Sequence, residues 1–312
     1  MKQNITLTEP LSVDEIVAKF FNNLPITCIS PHYDELPLCI GGSALALQDK
    51  LEIKNVNVFS KSQYVSPEYE SKLQEQLFEE GNSDIFSKER IQFVSPLRRT
   101  EDDNCLESLG VNSRIYLEKN EAPLRGYGLG DGKEGITFPT APENWWKNPE
   151  EEILLNNLKI EFKEYMSEKN NVFIPIGIKY HIDHVLVRRA AISAANELNN
   201  SGKLNANLFF YEDQPYAGLS AIKSNDWIDA NRIIANCAST DIVIDLQKKI
   251  SLIDFYTSQL EDGYSMGIEN RAIEIGNMDL SGKIQPIERI YKLNTAKIHE
   301  LTKLDNFKQQ NS

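Results

Sequence analysis

Short apolar runs that alternate with helical stretches constrain the fold of this chain more than any other property of it. Residues 24–30 and 171–178 are almost continuously apolar, with no polar residue in alternate positions. Runs of this kind are strands covered on both faces. Residues 56–59, 91–94 and 208–211 read as further short strands. Residues 12–22 spell a helix: Ser12 can cap it, Glu15 stands three positions on, and Ile16, Val17, Phe20 and Phe21 share one face. Helical patterns also cover 66–80, 101–109 (closed by Gly110), about 150–168 and 185–198. Gly41-Gly42 ahead of Ser43 predicts a tight turn or close contact entering a helix. The alternation predicts an α/β fold, a Rossmann-like three-layer α/β/α arrangement with a mainly parallel sheet. No internal repeat or linker interrupts it. Residues 1–312 therefore read as a single domain with an irregular excursion at about 112–150.

In such sheets, ligands bind beyond the carboxyl ends of the strands. Two acidic clusters stand at that position. His32-Tyr33-Asp34-Glu35 follows the first apolar run, and His181-Ile182-Asp183-His184 follows the second. Three of the four histidines in the chain fall in these clusters. Imidazoles beside carboxylates are the usual ligands of zinc or another divalent transition metal. The first cluster also leaves a carboxylate free to act as a base. The residues alone thus point to metal-assisted hydrolysis.

The segment Ser30-Pro31-His32-Tyr33-Asp34-Glu35 with Gly41-Gly42 resembles the first motif of the PIG-L/LmbE-type zinc-dependent de-N-acetylases, His-Pro-Asp-Asp followed by Gly-Gly. His181-Ile182-Asp183-His184 resembles their second motif, His-Pro-Asp-His. Weaker similarities follow in order: Arg98-Arg99-Thr100-Glu101-Asp102 with Leu109-Gly110, then Phe210-Tyr211-Glu212-Asp213-Gln214-Pro215-Tyr216, then Lys249 with Tyr256-Thr257-Ser258-Gln259. Together they span roughly residues 25–295. The resemblance implies a Zn2+ site held by His32, Glu35 and His184, with open positions for water and substrate. It implies Asp34 as general base. It places His181 near the substrate carbonyl, where a protonated imidazole can stabilise the oxyanion or protonate the leaving amine. It gives Asp183 the task of orienting His181. The implied reaction removes an N-acyl group, chiefly N-acetyl, from an amino sugar or other sugar-containing small molecule.

Two positions depart from the family pattern. Tyr33 replaces a proline, and Glu35 stands where the family has its ligating aspartate. The extra methylene moves that carboxylate by on the order of 1 Å. A rearranged site with Asp34 on the metal and Glu35 as base is the alternative. A metal-poor, non-catalytic sugar-binding protein of the same fold is another.

Other residues carry two readings each. Arg98 or Arg99 can hold a substrate hydroxyl, carboxylate or phosphate, or can lie exposed at a helix start. Asp213 and Tyr216 can line the pocket, or can belong to a turn built by Gln214-Pro215. The glycines of 126–132 do not fit a dinucleotide fingerprint, so a loop is expected there and not a phosphate cradle. Trp145 and Trp146 can stack on a sugar or anchor the loop. Arg188-Arg189 read as helix surface, and His299 as a surface residue.

The formal net charge of −13 argues against a nucleic-acid or anionic-membrane binder, since both need clustered cations. Four widely spaced cysteines without a CxxC pair suggest neither a disulfide framework nor a thiolate metal site. No apolar stretch reaches the roughly 18 residues of a membrane span. Residues 1–10 lack the apolar core of a signal peptide, so a cytoplasmic location is the expectation. Oligomeric state is left open, a homo-oligomer included.

Overall fold

The structure is a computed structural model that describes residues 11–77, 88–128, 138–259, 261, 263–278 and 282–304. In chain order its strands are β1 (Ile26–Ser30), β2 (Ile53–Asn57), β3 (Ser113–Tyr116), β4 (Asn171–Pro175), β5 (Asn207–Tyr211), β6 (Cys237–Val243), β7 (Asn277–Met278), β8 (Ile284–Gln285) and β9 (Ile287–Leu293). Its helices are α1 (Val13–Lys19), α2 (Glu35–Leu47), α3 (Pro67–Leu77), α4 (Lys88–Ser108), α5 (Pro149–Ser167), α6 (Ile182–Asn200), α7 (Ile228–Ile234), α8 (Leu246–Ser251), α9 (Tyr264–Glu274) and α10 (Ile298–Leu304). Residues 78–80, the end of the expected helix at 66–80, lie outside the described residues.

Seven strands form one sheet in the order β3-β2-β1-β4-β5-β9-β6, and β7 pairs with β8 separately. The first five in that order run parallel, with Ile26 opposite both Ile53 and Asn171. β9 runs antiparallel to both of its neighbours, β5 and β6. All five residues of β1 and of β4 are buried, which is why both read as unbroken apolar runs. On one face the sheet packs against Leu158 and Phe162 of α5 and Leu186 and Ala190 of α6. On the other it meets Ile16 of α1, Leu36 and Leu47 of α2, and Cys105 and Leu106 of α4. The fold is therefore the expected three-layer α/β/α. Because β1 and β4 are adjacent, their carboxyl ends bring His32 and His181 to one place.

Several local expectations are corrected. Residues 91–94 are not a strand but part of α4, which carries Pro96 inside it. The buried face of α4 runs Arg90, Val94, Arg98, Asp102 and Leu106, a spacing of four. Three of those five are charged, so the helical stripe is invisible to a hydrophobic pattern. β3 lies in the excursion, with all four residues only half-buried. Helix α2 begins at Glu35, well before Gly41, and is kinked at Ile40, where φ is −130° and ψ 18°. The amides freed there, Gly42 N and Ser43 N, donate to Glu288 at 3.0 and 2.6 Å, and Glu288 pairs with Lys249 at 2.5 Å. A Cβ on Gly42 would meet Ile244 at 2.7 Å, which is the close contact the glycine pair suggested. Arg188 is buried and not on the helix surface. His299 is exposed, and all four cysteines are free.

Candidate metal centre and its cavity

The ends of β1 and β4 and the first turns of α2 and α6 supply the two clusters. His32 lies in the four-residue connection, 31–34, between β1 and α2, and the first residue of α2, Glu35, folds back on it. Glu35 Oε2 accepts the His32 backbone N–H at 2.6 Å. Glu35 Oε1 then lies 3.1 Å from His32 Nδ1 and 2.9 Å from His184 Nε2. These three donors, His32, Glu35 and His184, form a group close enough to hold one cation.

The outer nitrogens support that fit. His32 Nε2 lies 2.8 Å from Asp183 Oδ2, and His184 Nδ1 lies 2.5 Å from Asp213 Oδ1. A carboxylate on the far nitrogen fixes the tautomer and aim of a ligating imidazole. His184 Nε2, the inward nitrogen, is buried and makes no aligned hydrogen bond. A buried nitrogen aimed at a carboxylate oxygen and a second imidazole is what a divalent cation would satisfy. A second group, His32, His181 and Asp183, also converges. It fits less well, because Asp183 is already engaged by Arg125 NH1 at 2.7 Å and by the Ala122 amide at 2.9 Å.

Charge around these groups follows from the same contacts. Burial lowers the His32 imidazolium, but the charge of Glu35 and the hydrogen bond to Asp183 outweigh it and carry its pKa up to about 10. His184 likewise rises, against burial, to about 9 through Glu35 and Asp213. Burial, with the charges of His184 and His32 beside it, holds His181 well below the ordinary histidine value. His181 is therefore neutral, and its Nδ1 accepts the Asp183 amide at 3.2 Å, which leaves the proton on Nε2. Burial and the neighbouring Glu35 push the Asp34 carboxyl up.

A cavity of about 310 Å³ opens in front of these groups. His32, Asp34, Glu35, His181, Arg98 and Tyr216 all line it. Arg98 is buried, donates to Ser62 Oγ at 2.7 Å, pairs with Glu121 at 3.1 Å and stands 3.7 Å from Asp34. Two substrate-binding expectations are corrected. Arg99 lies on the exposed side of α4, paired with Glu118 and stacked over Tyr116, because successive helix positions diverge by about 100°. Asp213 is fully buried behind His184 and does not reach the cavity. Asp183 also differs from expectation: its carboxylate serves His32, Arg125 and the Ala122 amide, and its hydrogen bond to His181 comes from its backbone N–H.

Sequence reasoning missed Arg125, Glu121, Phe138 and Lys179. The first three come from the excursion, and no periodicity marks them. Arg125 bridges Asp183 and Glu151, at 2.7 and 2.9 Å. Trp145 is buried and both indoles face Arg189, away from the main cavity, so they anchor the excursion. Of the glycine run, residues 129–132 lie outside the described residues. Two of the weaker motifs meet each other. Glu101 accepts Ser258 N and Ser258 Oγ at 2.8 and 2.6 Å, and Asp102 accepts Tyr256 OH at 2.8 Å.

No protein-family model matches the sequence, and no curated protein matches it significantly. Solved structures do match the fold. The zinc-inhibited form of teicoplanin deacetylase Orf2 superposes with a TM-score of 0.59 at 18% identity, over 86% of this chain and 97% of that one. The A40926 pseudoaglycone deacetylase Dbv21 gives 0.55 at 18% identity, with the same coverage. N,N'-diacetylchitobiose deacetylase from Pyrococcus horikoshii, in complex with an inhibitor, gives 0.52 at 14% identity, over 94% of this chain and 97% of that one. The chain shares the fold of these deacetylases. Among its described residues, no helix is long and apolar enough to cross a membrane.

Proposed function

We propose that this protein is a zinc-dependent amidohydrolase that removes an N-acyl group, chiefly acetyl, from an amino sugar or sugar-containing small molecule, and that it belongs with the PIG-L/LmbE-type de-N-acetylases. One observation carries the reading. Two imidazoles converge with Glu35 on one point, and each has its outer nitrogen on a buried carboxylate. The shared fold with deacetylases of sugar-containing molecules supports the substrate class.

His32, Glu35 and His184 would hold the cation. A divalent cation there supplies Lewis acidity toward an amide oxygen and acidifies water. Asp34 faces the cavity and its carboxyl is raised, which suits a base that takes a proton from the attacking water and returns it to the leaving amine. Neutral His181 donates its Nε2 hydrogen to the oxygen that gains charge during attack. Asp183 and Arg125 hold the His32 ring, and Arg98 keeps Asp34 within the cavity wall. Glu35 is the ligand and Asp34 the base in this arrangement, because Glu35 is the carboxylate turned onto both imidazoles.

Metal analysis of the purified chain together with acetate release from N-acetylglucosamine-containing substrates tests the proposal. About one zinc per chain is expected, and His184→Ala abolishes both zinc binding and hydrolysis. Full metal retention in that variant overturns the ligand set. An empty site with intact sugar binding overturns the enzyme reading.

A further inference from the structure

Lys179 takes no part in the chemistry above, yet the backbone is distorted to present it. It lies on the single turn Ile178–Tyr180 that leads into His181. Its φ is 64°, and Tyr180 follows at 59°. Two consecutive side-chain-bearing residues in the left-handed region persist only where the surroundings impose them, and such places concentrate at functional sites. The surroundings are explicit here. Asp213 Oδ2 accepts the amides of Gly177 and Ile178 at 2.7 and 2.8 Å. Arg188 donates to the Ile176 carbonyl at 2.6 Å.

The turn delivers the Lys179 ammonium to the main cavity, which it lines. Nζ lies 3.8 Å from the centre of the Phe138 ring and 5.2 Å from that of Tyr216. No carboxylate stands within ion-pair distance of it among the described residues, and the acid whose charge it feels is Asp226. The other cation lining the cavity, Arg98, is already held by Glu121 and Asp34. An ammonium between aromatic walls keeps its charge but loses hydration, and an anion restores what the walls cannot. The ring beneath Lys179 also stands edge-on to His181, 5.3 Å between centroids. Lys179 is thus one aromatic ring removed from the reacting end of the cavity. In the deacetylase reading that end takes the N-acyl group, so a charged substituent held by Lys179 lies on the other side of the sugar.

We infer that Lys179 is a specificity-determining residue that binds an anionic substituent, carboxylate or phosphate, carried by the amino sugar on the side away from its N-acyl group. The inference rests on the deacetylase reading of the site. The test is steady-state kinetics of the zinc-loaded full chain on N-acetylglucosamine, its 1-phosphate, its 6-phosphate and N-acetylmuramic acid. At least one anionic sugar is expected to exceed the neutral one about tenfold in kcat/KM, and the phosphate and carboxylate arms identify which anion is read. Lys179→Met should collapse that ratio about tenfold, through KM more than kcat, and Lys179→Arg should restore most of it. Equal kcat/KM for neutral and anionic sugars in the wild type, or an equal loss on both in Lys179→Met, overturns the inference. Calorimetry with glucosamine, glucosamine 1-phosphate, glucosamine 6-phosphate and muramic acid reads the same contact without turnover. A Lys179-dependent preference for an anionic sugar in a protein that hydrolyses no N-acetyl sugar removes the deacetylase reading and sustains the anion site. Absence of that preference in calorimetry overturns the anion site even if hydrolysis is observed.

Discussion

Asp213 ties His184 to the turn that leads into His181. One of its oxygens lies 2.5 Å from His184 Nδ1, and the other accepts the Gly177 and Ile178 amides. One buried carboxylate therefore sets both the aim of a candidate metal ligand and the path of the backbone beside it. Asp213→Asn keeps the shape and removes the charge. Zinc affinity should fall about 10–100-fold, as it does when a carboxylate behind a ligating histidine is lost. Competition against a zinc chelator measures this, and an unchanged affinity removes Asp213 from the role.

Glu35 reaches both imidazoles while holding the His32 amide at 2.6 Å. Shortening the side chain in Glu35→Asp pulls the carboxylate back by on the order of 1 Å, so one of the contacts is lost. Zinc should bind at least about tenfold more weakly. A large gain in affinity would instead mark Glu35 as a defect of this chain.

The Arg125 side chain is mostly buried between Asp183 and Glu151, which are themselves fully or almost fully buried. Arg125→Met leaves buried Glu151 without its cation and buried Asp183 with His32 as its remaining one. Urea unfolding should show a loss of about 3–5 kcal/mol, the usual consequence of removing one partner from a buried ion pair. Adding Asp183→Asn should recover part of it. A single-variant loss below about 1 kcal/mol would class the contact with surface pairs.

Metal-free protein should lose stability as pH rises from 7 to 9. His32 and His184 have folded-state pKa values raised to about 10 and about 9. Their contribution is fully present below the unfolded histidine value of about 6.5 and is lost as pH rises through the folded values. Thermal melts after chelation, compared between wild type and His184→Asn, isolate the effect. The variant should show the shallower decline, and identical slopes would contradict it.

Much of the sheet could be read along the chain. β1 and β4 are buried on both faces, so their apolar runs carried the signal without any partner being known. The stretch at 91–94 misled because α4 buries Arg90, Arg98 and Asp102 in ion pairs and hydrogen bonds, and such a face has no hydrophobic period. β3 was hidden because an edge strand with half-buried residues needs no apolar run. In the site, motif spacing identified the two clusters but could not separate Arg98 from Arg99. That choice depends on which side of α4 faces the cavity.

Local order along the chain determined that two His-carboxylate clusters end two buried parallel strands, because burial on both faces imposes its composition residue by residue. Tertiary structure decided which carboxylate serves which imidazole. Asp183 belongs to His32 and Arg125, and Asp213 to His184, since β1 lies beside β4 and β4 beside β5 in the sheet. It also decided where Lys179 points, through contacts from Asp213 and Arg188 that lie apart from it in sequence. Pairings of this kind are set by strand order and by side chains distant along the chain, and no local pattern encodes them.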